Sequence, residues 1–195
     1  MYQSKVKFIS GVMRSGKSAQ LMDEIGWEYN NGCLILKPSQ DTRDGDKVVS
    51  RKYKHTYPAV LVDESNIQIV DLIHHGLGQF GTVFIDEVQF FSKSFIHEIR
   101  MVCFNEEINL TCSGLLKDFK GDYFESSEYL MEIADDFIFH KGECYTCGDM
   151  TAIHNALIDD KDDLITDGDS VLIEDVENHS HYETLCPECL RRYYD

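Results

Sequence analysis

The stretch GVMRSGKS, running from Gly11 to Ser18, decides the fold of this chain. It spells G-x-x-x-x-G-K-S, a glycine-framed loop whose backbone amides turn inward around phosphate oxygens. Such a loop works only between a strand and a helix. The apolar run VKFIS (6–10) before it reads as a buried strand. The segment after it sets Leu21, Ile25 and Tyr29 on one i, i+4 stripe, so a helix begins near Lys17. The helix turns its positive dipole end toward the anion. Lys17 supplies a point charge to the outer phosphates and Ser18 a hydroxyl to Mg²⁺. The candidate phosphate contacts are therefore Gly11, Val12, Met13, Arg14, Ser15, Gly16, Lys17 and Ser18.

Working outward, apolar runs alternate with helix-like stretches. CLILKPS, AVLVD, TVFIDEVQ, INLTCSGL and FIFHK read as further strands. Helices are expected near 94–105 and 127–135, and another from a capping-box pair, Ser65 and Gln68, to about Gly76. This alternation predicts an α/β fold, a mostly parallel sheet flanked by helices, with ligands at the carboxyl ends of its strands. TVFIDEVQ ends in acids. Asp86 is placed to hold Mg²⁺, and Glu87 to act as general base toward water or a substrate hydroxyl.

Past Lys141 the texture changes. Two C-x-x-C pairs, Cys144/Cys147 and Cys186/Cys189, flank MTAIHNALI, an acidic tip and SVLIEDV. Four thiolates at this spacing suit a closed tetrahedral Zn²⁺ site, structural because no position is left open. The two apolar runs predict a long hairpin pinned by the metal. The expected division is 1–140 for the nucleotide-binding domain and 141–195 for a small zinc-binding hairpin or lid domain. The acidic tip has partial Ca²⁺-loop spacing, but Ile165 fills a required oxygen position, and a solvated turn is the better reading.

Among 195 residues the net charge is −17, which argues against sequence-independent nucleic-acid binding. No apolar run approaches the ~20 residues that span a membrane. The N-terminus lacks a long apolar signal region. The expectation is a soluble cytoplasmic protein with no nucleic-acid or membrane partner. Cys33, Cys103 and Cys112 sit in apolar contexts and read as buried thiols.

The ordered set GVMRSGKS, DTRDGD, FIDEVQFF, GLLKDFKGDYF, two C-x-x-C pairs and HYETLC resembles the cytosolic and bacterial type of thymidine kinase, from Gly11 to Cys189. The resemblance implies a RecA-like phosphate-loop domain and transfer of the ATP γ-phosphoryl group to the 5′-hydroxyl of thymidine. It makes Glu87 the base and Asp86 the Mg²⁺-linked acid. Gln89 and Arg43 fall in the nucleotide-contacting set. Phe90, Leu115, Phe119, Phe124 and Tyr182 become nucleoside contacts, with Met13 an apolar neighbour of the base. Tyr182 matches the tyrosine of a lasso loop that closes over thymine, and a homotetramer is implied. The chain departs from the family pattern in three places. VLIEDVENHSHY lacks the usual glycine pair, Arg14 replaces other residues, and Val88 stands where a glycine is common.

Two other readings remain open on the residues alone. A phosphate-loop ATPase would use Glu87 on water, and a non-catalytic zinc module would need neither Glu87 nor Lys17.

Overall fold

The computed structural model describes residues 4–41, 45–49, 56–65, 68–75, 81–170 and 180–194. Strand β1 (Val6–Gly11) is buried on both faces, and it feeds the phosphate loop and then helix α1 (Lys17–Glu28). On α1 the expected stripe holds for Leu21 and Ile25, which are fully buried, while Tyr29 lies past the helix end and is 43% exposed. Gly16 caps the helix at φ 95°, a left-handed conformation that costs a side-chain-bearing residue and that glycine adopts freely.

The chain continues through β2 (Cys33–Pro38), β3 (Lys47–Val49), β4 (Thr56–Pro58), β5 (Val60–Val62), α2 (Gln68–His75) and β6 (Thr82–Ile85). It then runs through α3 (Lys93–Asn105), β7 (Asn109–Leu115), α4 (Glu125–Ile133) and β8 (Asp136–His140). Six of these strands form one all-parallel sheet in the order β5-β2-β6-β7-β1-β8. The α/β expectation therefore stands.

Strand β7 lies between β1 and β6. The loop after β1 and the acids after β6 thus leave the same edge of the sheet about 10 Å apart, two strand spacings. A core cluster around Phe8, Leu36, Ile85, Ile96, Ile99 and Leu110 fixes that edge.

Helix α3 starts where three side chains absorb its first amides. The Ser92 hydroxyl accepts from Phe95 N (3.2 Å), Glu125 Oε1 accepts from Lys93 N (3.2 Å), and Glu64 accepts from Ser92 N. Ahead of α2 the Ser65 hydroxyl donates to Asp63 Oδ1 (2.9 Å), and the Gln68 side chain lies outside the described residues.

The antiparallel pair β3–β4 was not legible in the sequence. Its strands are three residues each in a polar, basic stretch, and one buried residue, Val48, anchors them on Leu21, Met22 and Ile25.

The C-terminal part holds a small antiparallel sheet, β10 (Leu164–Ile165), β9 (His154–Ile158) and β11 (His181–Leu185), followed by α5 (Pro187–Arg191). The run expected as the second hairpin strand, 170–176, lies almost wholly outside the described residues. The partner seen on β9 is HYETL, paired from His181 opposite Ile158 to Leu185 opposite His154. At the acidic tip, Asp159 Oδ1 accepts from the amides of Lys161 and Asp163, which closes a plain turn. Among the described residues no helix is long and apolar enough to cross a membrane.

Candidate active site

Gly11 ends β1 with its Cα against β8. A Cβ there would sit 2.4 Å from the His140 carbonyl oxygen and 2.8 Å from the His140 Cβ. The first of these is backbone and cannot rotate away. Gly11→Ala is therefore expected to destabilise the fold by about 1–3 kcal/mol through overpacking. Thermal melts of the purified variant check this, and an unchanged Tm would mean that β8 shifts freely.

Beyond Gly11 the loop is held from several sides. Val12 N donates to His140 O (3.3 Å) and Met13 N to Asn155 Oδ1 (2.8 Å). Arg14 has φ 56°, and its guanidinium donates to Tyr182 O and to Glu183 Oε2 (3.2 Å). Lys17 is buried, with Nζ donating to Val12 O at 2.7 Å. The His140 ring shares a hydrogen bond with Gln20, and burial, then the Lys17 charge, lowers its pKa.

Asp86 and Glu87 follow β6. Asp86 is only 7% exposed. Burial, then the Glu87 charge, pushes its carboxyl from 3.8 up to about 7, against opposing pulls from the Glu87 amide and Lys17. The Lys17 charge bears on Asp86, in line with the expectation that the loop and the strand-end acids lie near one another.

The pKa shift has a stability consequence. The folded chain binds the extra proton more tightly than the unfolded chain. That contribution is present below about pH 4 and is lost as the pH rises through about 7. In magnesium-free buffer Asp86→Asn is expected to melt near the wild type at pH 4 and increasingly above it toward pH 8. A difference that does not grow with pH would rule out burial of the charge as its cause.

Glu87 occupies the left-handed region at φ 51°. This strain at a non-glycine residue turns the chain sharply out of the strand. Successive residues of a strand face opposite sides, and this turn frees Asp86 and Glu87 from that rule. Val88 opens a buried 3-10 turn. Gln89 then fixes the glutamate. Its Nε2 donates to Glu87 Oε2 (2.6 Å), and its Oε1 accepts from Leu115 N (3.0 Å). Only this amide orientation satisfies both partners.

Gln89 also lines a cavity of about 470 Å³ at the ends of β2, β5 and β6, walled by Pro38, Val62, Phe90, Phe91 and Phe124. The volume falls in the range of small-molecule sites. The other expected aromatics gather elsewhere. Phe119 and Tyr182 meet edge to face at 6.2 Å, with Leu157 beside them and Met13 and Ile165 packed on the cluster. Arg43 lies outside the described residues. Its neighbour Asp41 is buried in an ion pair with Lys37 at 3.3 Å.

The Sγ atoms of Cys144, Cys147, Cys186 and Cys189 all lie within 4.8 Å of one another, with Cys147 and Cys186 at 4.0 Å. A tetrahedral tetrathiolate with metal–sulfur bonds of ~2.3 Å has edges of about 3.8 Å, so the donor set fits a metal ion. Burial raises the Cys144 thiol, but the amides of Cys186, Cys147 and Thr146 outweigh it and bring it to about 6. Cys103 and Cys112 are buried thiols as expected, both raised by burial, while Cys33 is half-buried.

The family model for thymidine kinase matches residues 4–190. This chain belongs to the thymidine kinase family. The thymidine kinase of Pseudothermotoga lettingae is 28% identical over 190 residues, covering 96% of this chain and 95% of that protein. Those of Shouchella clausii and Enterobacteria phage T4 are each 30% identical, over 93% and 92% of this chain and 93% and 91% of their own lengths. Among solved structures, Pif1 helicase from Candida albicans aligns at a TM-score of 0.43 and 13% identity, covering 70% of this chain and 36% of that one.

For a member of the thymidine kinase family, the residue that the motifs did not mark is Asn155. It holds Met13 N with one end of its amide and Lys117 O with the other (3.2 Å). One asparagine in an apolar run gives no pattern to read. The clue available in the sequence was a polar residue interrupting IHNALI.

Proposed function

We propose that this chain transfers the γ-phosphoryl group of ATP to the 5′-hydroxyl of thymidine, giving thymidine monophosphate for DNA-precursor synthesis. The observation that carries this reading is the place of Glu87. It is gripped by Gln89, which walls an aromatic cavity, and it adjoins Asp86, which feels the loop lysine. A base set between a phosphate crevice and a nucleoside-sized cavity suits an acceptor hydroxyl better than bulk water.

Glu87 takes the hydroxyl proton as the oxygen attacks the γ-phosphorus, and the bond to the ADP oxygen breaks. The loop from Gly11 to Ser18 holds the triphosphate, with Arg43 and Gln89 in the nucleotide-contacting set. Ser18 and Asp86 would hold Mg²⁺, which neutralises charge on the phosphates when bound. Phe90, Leu115, Phe119, Phe124 and Tyr182 contact the nucleoside. The four cysteines hold structural Zn²⁺, and the division between the phosphate-loop and zinc-bearing units falls at 140/141. None of the seven cysteines is in a disulfide, which suits a reducing cytoplasm. A homotetramer agrees with large apolar side chains exposed on α1 and α3, Trp27 at 82% and Phe104 at 50%.

The test is product analysis after incubation with ATP, Mg²⁺ and thymidine. Thymidine monophosphate and ADP in equal amounts are expected. ADP and free phosphate with no new nucleotide would replace the kinase by an ATPase.

A further inference from the structure

Asn155 is 6% exposed, and both ends of its amide are committed. Its Oδ1 accepts from Met13 N (2.8 Å) in the phosphate loop, and its Nδ2 donates to Lys117 O (3.2 Å) at the head of the segment carrying Phe119. Flipping the amide would set N–H against N–H and carbonyl against carbonyl, so the two bonds form together or not at all. The next loop residue, Arg14, reaches the adjacent strand, with its guanidinium on Tyr182 O and Glu183. Two consecutive residues of the phosphate loop are thus gripped by β9 and β11, the two paired strands of the small sheet.

These anchors differ in strength. The Arg14 side chain is 60% exposed, so its ion pair is screened and contributes little. Asn155 itself is buried and its two bonds are partly so, and an amide left there without its partner carries a desolvation penalty. A phosphate cradle works when its donors are already oriented before the anion arrives. Met13 N, turned outward onto Asn155, fixes the direction from which the following residues enter the cradle.

We infer that Asn155 is a positioning residue for the phosphate donor: through Met13 it sets the shape of the phosphate loop and ties that shape to the small sheet. This rests on the reading of the loop as the ATP site and needs no particular acceptor. The test compares the wild type with Asn155→Leu, which keeps the volume and removes both bonds, and Asn155→Asp, which keeps an acceptor for Met13 N. Binding of an imido-bridged, non-hydrolysable ATP analogue with Mg²⁺ is read by calorimetry, and exchange of the Met13 amide by NMR.

Asn155→Leu is expected to bind the analogue about 10-fold more weakly, the equivalent of one lost hydrogen bond. Its KM for ATP rises in proportion, and kcat at saturating ATP stays within about 3-fold, the signature of lost binding rather than lost chemistry. Met13 exchange accelerates in Asn155→Leu and stays near wild type in Asn155→Asp. The β9 and β11 amides report whether each variant is folded. Should Asn155→Leu disrupt the sheet, slow Met13 exchange in Asn155→Asp supports the clamp and fast exchange overturns it. Analogue affinity within 2-fold of wild type in a folded Asn155→Leu protein overturns the inference. A wild type that binds the analogue yet leaves thymidine untouched sinks only the thymidine reading. One that binds no analogue removes the ATP site and this inference with it.

Discussion

Glu87→Gln is expected to lower kcat for thymidine phosphorylation by about 10²–10⁴-fold, the usual contribution of a positioned general base. Glutamine keeps the side-chain volume and the contact with Gln89, and it cannot take a proton. The geometry says why this carboxylate should matter more than its neighbour. Asp86 is buried and pushed toward neutrality in the metal-free chain, whereas Glu87 is turned out of the strand by a left-handed backbone and bonded through Oε2 to Gln89 at 2.6 Å. Binding of a non-hydrolysable ATP analogue should stay within about 3-fold of wild type, because the base acts in the transition state. Steady-state kinetics beside calorimetry make the comparison. A variant that retains more than a tenth of the wild-type kcat would take the role of base away from Glu87.

The second large effect is expected at the cysteine cluster. Cys186→Ser should release the metal and lower Tm by about 10 °C or more, since a structural tetrathiolate site supplies several kcal/mol and each kcal/mol moves Tm by about 2–4 °C at this size. Cys186 does more than supply a sulfur. It caps α5 by accepting from Cys189 N (3.4 Å), and its own amide donates to Cys144 Sγ (3.3 Å). Losing it frees the ends of the small sheet, and with them Asn155 and Tyr182. Activity should therefore fall with the metal even though no cysteine is among the proposed substrate contacts. Elemental analysis by mass spectrometry, melts and kinetics on the same preparation test this. Cys33→Ser, remote from the cluster in sequence, is the control and should keep its metal. A Cys186→Ser protein with full metal content and unchanged Tm would end the structural-zinc reading.

Much of this was legible beforehand for physical reasons. Strands buried on both faces read as continuous apolar runs, so β1, β2, β6 and β7 stood out. The phosphate loop and the C-x-x-C pairs are local patterns whose spacing carries their chemistry. The antiparallel pair β3–β4 escaped because one buried valine in a polar stretch leaves no period. The pairing of HYETL with β9 was not foreseen because strand-likeness is local and pairing is decided across space, while the expected run SVLIEDV lies almost wholly outside the described residues. The expected pocket aromatics were collected in one set. They divide between a cavity at the ends of β2, β5 and β6 and a cluster between the phosphate loop and the small sheet.

By itself the sequence determined the class of fold, the phosphate loop, the acidic pair after β6 and the tetrathiolate set, because each rests on contiguous residues or fixed spacing. Only the tertiary structure decided that β7 separates β1 from β6, that Lys17 bears on Asp86, that a left-handed Glu87 lies against Gln89, and that Asn155 reaches the loop from 142 residues away. Those facts depend on which elements become neighbours when the core closes, and side-chain hydrogen bonds across that distance leave no trace in local composition.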